Sequence, residues 1–209
     1  MSINRRNLLA VLLLVMTLAA CEPSLQVTPR VPRSLAGNWI TDAGRCDAIE
    51  SQLKAALDVA KARELHDAIR RNVRRVRDPV ETVNPRGEPN SWELREQEEQ
   101  YGAMLGMLRP AVEFSVSQNA GQITFVPAHS GHRNFEPGTS STLITEFAHL
   151  RIISGWQNEE FVVSSKDSKT GIAIEERYKI QPDHSLLMSA VIAIKYMETQ
   201  QYSLSYHKQ

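Results

Sequence analysis

The chain has 209 residues, with 24 basic and 24 acidic side chains, 42% apolar residues and 2 cysteines. This balance is typical of one globular domain with short attachments, and it argues against wholesale disorder, a collagen or a disulfide scaffold. Two of the basic residues, Arg5 and Arg6, stand at the amino end, so the chain beyond residue 20 is slightly acidic. We therefore expect no nucleic-acid partner.

The first 20 residues have the parts of a signal peptide. Arg5 and Arg6 form a positive region, and the stretch from Leu8 to Ala20 is apolar apart from Thr17. As a helix this stretch spans roughly 20 Å, which is too short for a hydrocarbon core of about 30 Å. Residues 1–20 are therefore predicted to be a cleaved leader and not a membrane span.

The end of the leader resembles the lipobox of bacterial lipoproteins that signal peptidase II cleaves. The motif is Leu18-Ala19-Ala20-Cys21. The resemblance implies lipidation of Cys21, and hence a lipid bilayer and the lipoprotein export and sorting machinery as partners. Each buried CH₂ contributes about 0.8 kcal/mol, so two or three acyl chains hold a protein on a bilayer for long periods.

Two details of the leader bear on the destination of the protein. Glu22 follows the cysteine where aspartate is the usual inner-membrane retention signal, so the resemblance favours a periplasm-facing protein of the outer membrane. Residues 4–9 also resemble a twin-arginine export motif. Because that stretch lacks an aromatic residue and a following lysine, the general secretory route is preferred.

Cys46 has no cysteine partner in the chain once Cys21 is acylated. In an oxidising periplasm an unpaired thiol is either buried or joined to another molecule, and burial is the preferred interpretation. A catalytic cysteine needs a histidine and an orienting group close in space, and no local signature indicates one.

The mature chain divides into a tether and one domain. Residues 21–34 contain Pro23, Pro29 and Pro32 with little apolar periodicity, which predicts an extended tether. Residues 35–209 form a single α+β domain, which begins with a short strand around Trp39. Within that domain we predict a helical insertion over 47–109 and an antiparallel β section over 110–209.

Two helices are predicted in the insertion. The stretch from Asp47 to Asp78 lacks glycine and proline, and its apolar residues recur mostly every four positions. A step of four drifts about 40° round a helix, so either the helix bends near Lys61 or its ends face different neighbours. A second helix from about Ser91 to Leu108 is capped by Asn90 and ends at Arg109-Pro110.

The charges of the two helices are complementary. The first carries an arginine cluster at its distal end, and the second is acidic. One interpretation of the arginine cluster is a basic patch that contacts anionic lipid headgroups or an acidic partner. The preferred interpretation is a solvated helix face that pairs with the glutamates of the second helix. The second helix also has four apolar residues near its end, Met104, Leu105, Met107 and Leu108. They could form an adaptable binding surface, but filling the core is the preferred interpretation. The cluster comprises Arg70, Arg71, Arg74, Arg75 and Arg77, and the acids are Glu93, Glu96, Glu98 and Glu99.

The period changes to two after Pro110. Phe114 and Val116 alternate with polar residues, a turn follows at 119–121, and Ile123 and Phe125 alternate again, which predicts a hairpin. Residues 172–180 have one apolar and one charged face. We expect five to seven antiparallel strands, in a meander, a sandwich or an up-and-down barrel.

Gly37-Asn38-Trp39 at the start of the domain resembles the Gly-x-Trp triplet of lipocalins, in which the tryptophan closes one end of an eight-stranded barrel. The resemblance implies a lipocalin-like barrel, with Arg177 as the late arginine that packs over the tryptophan. Some 70 residues of helix after the first strand depart from that pattern. A different antiparallel sheet packed by helices is therefore the alternative.

Few residues indicate chemistry. His129 and His132, with His149 or Glu136, have the residue types of a divalent-metal site, but loop histidines beside glycine and proline are preferred as plain polar residues. The adjacent pairs Glu159-Glu160 and Glu175-Glu176 point to opposite faces of a strand or lie in a turn, so they form no acid–base dyad. No metal or cofactor is predicted.

Three classes of function remain open. The first is a non-enzymatic binding module, possibly lipocalin-like, whose β cavity takes an apolar ligand. A continuous cavity lined by Phe114, Phe125 and Tyr178 would favour it. The second is an interaction or structural role in the envelope through the helical hairpin, with a protein partner. The third, an enzyme or metal binder, is placed last.

Overall fold

The structure is a computed structural model that describes Leu25 and residues 34–75, 91–119, 121–128, 131–145 and 148–209. The predicted leader, the predicted lipidation site at Cys21 and His129 lie outside the described residues, and so do most of the predicted tether and the predicted end of the first helix. Within the described residues, no helix combines the length and the apolar character that crossing a membrane requires.

The described domain contains two helices and ten strands. The helices are α1 (Ala43–Arg75) and α2 (Ser91–Leu108). The strands are β1 (Gly37–Ile40), β2 (Glu113–Gln118), β3 (Ile123–Pro127), β4 (Arg133–Phe135), β5 (Ser140–Ile144), β6 (His149–Gln157), β7 (Glu160–Asp167), β8 (Ile172–Ile180), β9 (Leu186–Ala193) and β10 (Gln200–Lys208). This confirms the predicted α+β class with a helical hairpin inserted after the first strand.

The strands form one antiparallel sheet in the order β4-β3-β2-β1-β10-β9-β8-β7-β6-β5. Strand β1 joins the two halves of the sheet because it pairs with β2 on one side and with β10 on the other. From β2 to β10, strands that are consecutive in the chain pair with each other, as short turns allow, except that β4 and β5 lie at opposite ends of the order. The edges of the described sheet are β4 and β5.

The sheet is strongly curled into a half-barrel. Strands β3 and β8 are five steps apart in the sheet, so they would be separated by roughly 24 Å if the sheet were flat. The ring centroids of Phe125 on β3 and Tyr178 on β8 are nevertheless 4.7 Å apart. The concave face therefore folds over itself and encloses an aromatic core that also includes Phe114, Phe161 and Tyr206.

The β section contains more strands than expected. Nine described strands follow Pro110, against the five to seven predicted. The strands hardest to foresee are the edge strands β4 and β5. Strand β4 has three residues, and every residue of β5 is exposed, so neither shows the apolar alternation of a half-buried strand.

Helix α1 begins four residues earlier than predicted. Asp42 precedes it and accepts a hydrogen bond from the Arg45 amide at 2.9 Å, as an N-cap residue does. The helix faces two neighbours: Cys46 packs into the aromatic core, whereas Leu53 and Leu57 pack against α2 and the sheet. Different stretches in the first half of α1 therefore face different neighbours, in keeping with one of the two alternatives for the drifting apolar stripe.

Helix α2 has the predicted bounds and packs beside α1. Met104 and Leu108 are buried, as is Tyr101, while Leu105 and Met107 are partly buried against the same core, so the preferred interpretation of these four predicted residues as core filling is confirmed. Lys61 of α1 forms an ion pair with Glu98 of α2, in keeping with the predicted charge complementarity. Glu98 is exposed, so the pair contributes at most about 1 kcal/mol.

Candidate ligand cavity

A cavity of about 730 Å³ lies between the helical hairpin and the concave face of the half-barrel. Phe114, Phe125 and Tyr178, the three side chains predicted to line a binding cavity, all line it. The aromatic core and a second core, which lies between the helices and the sheet, meet at this cavity. Leu108 and Ile192 of the second core also line it. The volume lies within the range of about 300–1,000 Å³ that ligand sites usually have.

The walls of the cavity are mainly apolar. The strands supply them because alternate residues of a strand point to the same face. Ile174 and Ile152 are only partly buried, so their side chains are accessible from the void. The aliphatic strand residues of the lining include Leu143, Leu150, Ile152, Ile174, Met188 and Ile192.

The mouth of the cavity is polar. Its exposed charged side chains are Asp47 in the first turns of α1, Arg109 just after α2 and Glu113 at the start of β2. Glu50, one turn beyond Asp47, is half-buried and also lines the space. An apolar pocket with a charged rim is the common form of a small-molecule site.

An ion pair lies inside the cavity, on the concave face. Arg133 of β4 donates from Nη1 to Oε1 of Glu176 on β8 at 3.0 Å, and its Nη2 donates to Oε2 of the same carboxylate. The Tyr178 hydroxyl also donates to Glu176 Oε1, at 3.1 Å. All three residues line the cavity. The bidentate geometry fixes the guanidinium in one orientation.

The surroundings keep this pair ionised. Burial opposes the charged form of Glu176, but the charge and hydrogen bonds of Arg133 outweigh it, so the pKa of Glu176 lies below its usual value. For Arg133, burial likewise opposes the charge, and Glu176 outweighs it and raises the pKa. Burial, then the Glu176 charge, raises the pKa of Tyr178 well above its usual value, so its hydroxyl remains a donor.

The position of Glu176 in its strand indicates this pair, although no local motif does. Glu176 has the same strand parity as Ile174 and Tyr178, so alternation places it on the apolar face. Glu175 points the opposite way and pairs with Arg177 at 2.8 Å, which confirms that the two glutamates face apart. A charged residue on the apolar face of a strand requires a buried partner, and that partner is Arg133.

The role expected for Arg177 is wrong. Its guanidinium donates to Gln157 at 2.8 Å and to Glu160 at 3.1 Å, besides its pair with Glu175. The cation beside the Trp39 ring is Lys208, whose Nζ lies 5.9 Å from the ring centroid. The physical reason is register: β10 places Lys208 directly opposite Trp39. Arg177 instead forms an outer ion-pair cluster with Glu160 and Glu175.

Cys46 is buried and lines the cavity, which confirms the preferred interpretation of that residue. Burial, followed by the charges of Asp47 and Asp42, raises the pKa of its thiol. A thiol that stays protonated is a poor nucleophile.

The predicted metal residues do not assemble a site where they are described. His132, Glu136 and His149 are all exposed, and His129 lies outside the described residues. Across the described part of the chain, no three histidine, cysteine, aspartate or glutamate residues form a group that could hold a metal ion. Of the arginine cluster, Arg70 and Arg71 are described with their side chains, and both are exposed.

No protein-family model matches the chain, and the comparison with curated proteins gave no match. The comparison with solved structures gave matches at low identity. A secretory abundant heat soluble (SAHS) protein from Ramazzottius varieornatus is 12% identical with a TM-score of 0.44, covering 87% of this chain and all of that one. Human cRBP IV is 11% identical with a TM-score of 0.40, covering 85% of this chain and all of that one.

Proposed function

We propose that this chain is a lipid-anchored lipoprotein of the bacterial outer membrane, facing the periplasm, whose half-barrel cavity binds an apolar or amphiphilic ligand without chemically altering it. The observation that carries the binding role is the cavity of about 730 Å³ between the hairpin and the sheet, whereas the anchor rests on the Leu18-Ala19-Ala20-Cys21 motif. Its aliphatic and aromatic walls favour an apolar occupant over water, because water needs two to four polar partners.

The chemistry of the lining also supports a binder. The pKa of the Cys46 thiol is raised by burial, so the thiol is a poor nucleophile. Glu176 accepts hydrogen bonds from Arg133 and Tyr178, and its pKa is lowered by Arg133, so the carboxylate is a weak base. Both groups are suited to holding a molecule in place.

A cavity-filling variant tests the binding role. We expect the chain to bind the neutral apolar probe N-phenyl-1-naphthylamine, with a rise in its fluorescence. Ile174→Trp should weaken that binding at least about tenfold, because the larger ring occupies space the probe needs. Val126→Trp is the matched control, since Val126 is 44% exposed on the outside of β3, and it should leave probe affinity unchanged.

Thermal unfolding of both tryptophan variants shows whether either one has lost its fold. If the folded wild-type chain gives no saturable probe fluorescence, or if folded Ile174→Trp binds the probe as well as the wild type does, the binding role is contradicted.

The anchor is tested separately at Cys21. The mature protein should have a mass that includes acyl chains on a polypeptide that begins at Cys21, and it should fractionate with the outer membrane. Cys21→Ser should abolish the acyl mass and the cleavage before residue 21, while Cys46→Ser should retain both. A mature protein that leaves the membrane with water-soluble fractions and carries no acyl mass would contradict the anchor.

An interaction role through the helical hairpin is the second candidate. Helix α2 exposes two large apolar side chains near its start, Trp92 at 61% and Leu94 at 40%. Exposed apolar residues grouped on one element are typical of a surface that contacts a partner protein. The interaction role would be the favoured function if the cavity failed to bind the probe.

A further inference from the structure

We propose that the Arg133–Glu176 pair makes the cavity select amphiphiles whose polar group is uncharged and accepts hydrogen bonds, over amphiphiles with a carboxylate or an ammonium group. This inference rests on the proposed binding function and specifies the ligand class of the same cavity. It is carried by the placement of a fixed, electrically neutral pair of charges on the wall of an otherwise apolar void.

The pair offers donors to the cavity and few acceptors. A guanidinium has five N–H groups; the two bonds to Glu176 use two of them and the Tyr178 hydroxyl is a third partner, which leaves two without an acceptor among the described residues. A carboxylate has about four lone-pair sites, and Arg133 together with Tyr178 fills three on Glu176. The exposed fractions also indicate that the donors are more accessible than the acceptors, because the Arg133 side chain is 40% exposed and that of Glu176 is 12% exposed.

The orientation of these donors is fixed before a ligand enters. The bidentate contact with Glu176 holds one edge of the guanidinium, and the Phe135 ring lies 5.1 Å from its central carbon. A group held in this way loses little conformational freedom when it bonds a ligand. A hydroxyl, an ester carbonyl or an amide carbonyl supplies the acceptor that the remaining N–H groups lack.

Charge disfavours the alternatives. A carboxylate that reaches Arg133 also meets Glu176, and two carboxylates in one low-dielectric site repel each other. The polar mouth adds to this, since Asp47, Glu50 and Glu113 outnumber Arg109 there. An ammonium group finds Arg133 nearby and only the remaining lone pair on Glu176. Because Arg133 already neutralises Glu176, an uncharged polar group meets neither penalty.

The experiment compares three molecules with the same twelve-carbon chain length. The mature chain, residues 21–209 with Cys21→Ser and without the leader, is used, so that neither a protein-bound acyl chain nor the apolar leader competes. Bound N-phenyl-1-naphthylamine is displaced at pH 7.5 by 1-monolauroylglycerol, by laurate or by dodecyltrimethylammonium, each below its micelle concentration. We expect the neutral glyceride to compete at least about tenfold better than either charged molecule, which corresponds to about 1.4 kcal/mol.

Glu176→Gln provides the decisive variant. It leaves Arg133 without a counter-charge, so the preference should move towards laurate by at least about tenfold relative to the glyceride. Glu175→Gln is the matched control, because the neighbouring residue points to the opposite face and pairs with Arg177. Its preference should equal that of the parent chain.

A second variant keeps the proposal open to refutation if Glu176→Gln does not fold. Arg133→Gln removes the charged donor, so glyceride affinity should fall about tenfold while probe affinity stays constant. Equal competition by all three molecules in the parent chain, or an unchanged preference in folded Glu176→Gln, overturns the selectivity. A chain that binds no probe at all overturns the binding function itself, so the two failures are distinguishable.

Discussion

Replacing Arg133 with methionine is expected to lower the free energy of unfolding by about 1 to 3 kcal/mol at pH 7. The substitution leaves Glu176, whose side chain is 12% exposed, without its positive partner. Breaking a fully buried pair in this way costs about 3 to 5 kcal/mol. The lower range applies here because Arg133 is 40% exposed to the cavity, where water screens the interaction.

The effect of this substitution depends on pH, and the sign follows from Glu176. In the wild type the pKa of Glu176 lies below its usual value of 4.5 because Arg133 outweighs burial. A lowered folded-state pKa stabilises the protein above the unfolded pKa, and that contribution is lost as the pH falls through the folded pKa. Without Arg133, burial dominates and raises the pKa of Glu176, so the variant prefers the protonated carboxyl.

The difference in stability between wild type and Arg133→Met should therefore be largest at neutral pH and shrink as the pH falls, first through the raised pKa of Glu176 in the variant and then through its lowered pKa in the wild type. Urea unfolding at pH 7 and at pH 4 measures both differences. Arg177→Met is the control on the outer ion-pair cluster and should cost less than about 1 kcal/mol. A double variant, Arg133→Met with Glu176→Leu, should recover most of the loss, because it buries no charge. A stability difference that does not change with pH would contradict this account.

The sequence patterns were informative where a structural feature depends on nearby residues. The bounds of α2 followed from its capping signals and from Arg109-Pro110. The alternation over 172–180 predicted a strand with one buried face, and β8 has those bounds. For α1, helical periodicity left open a bend near Lys61 or different neighbours along the helix, and the packing of Cys46 and Leu57 in different cores agrees with the second. Each of these features is set by the chain within a few residues.

The inner ion pair depends on the curl of the whole sheet. Alternation places Glu176 on the apolar face, but Arg133 lies 43 residues earlier, on an edge strand of three residues. The two meet because β4 folds over the concave face, and no local pattern encodes that approach. Trp39 gave a similar result: the Gly-x-Trp resemblance suggested Arg177, whereas the pairing of β1 with β10 brings Lys208 to the ring.

Phe161→Ala is expected to have the largest effect on stability, a loss of about 3 to 5 kcal/mol. Phe161 on β7 is fully buried, and its ring centroid lies 6.2 Å from that of Phe125 on β3 and 6.0 Å from that of Phe135 on β4. It also lies 5.4 Å from Trp156. The ring therefore joins strands from both halves of the sheet, and its removal leaves a void where the sheet folds over itself.

Phe161→Ala distinguishes the contribution of Phe161 to core packing, measured as stability, from its contribution to the curl of the sheet, measured as probe affinity. Phe161→Leu retains most of the apolar volume and should cost less than about 2 kcal/mol, while Leu143→Ala on the exposed edge strand β5 should cost less than about 0.5 kcal/mol. If Phe161 holds β4 against β7, folded Phe161→Ala should also bind N-phenyl-1-naphthylamine more weakly, because Phe125, whose ring packs on Phe161, lines the cavity. Unfolding in urea and probe titration measure the two effects. A stability loss with unchanged probe affinity would show that the curl is held by the other aromatic contacts, chiefly Phe125 with Tyr178.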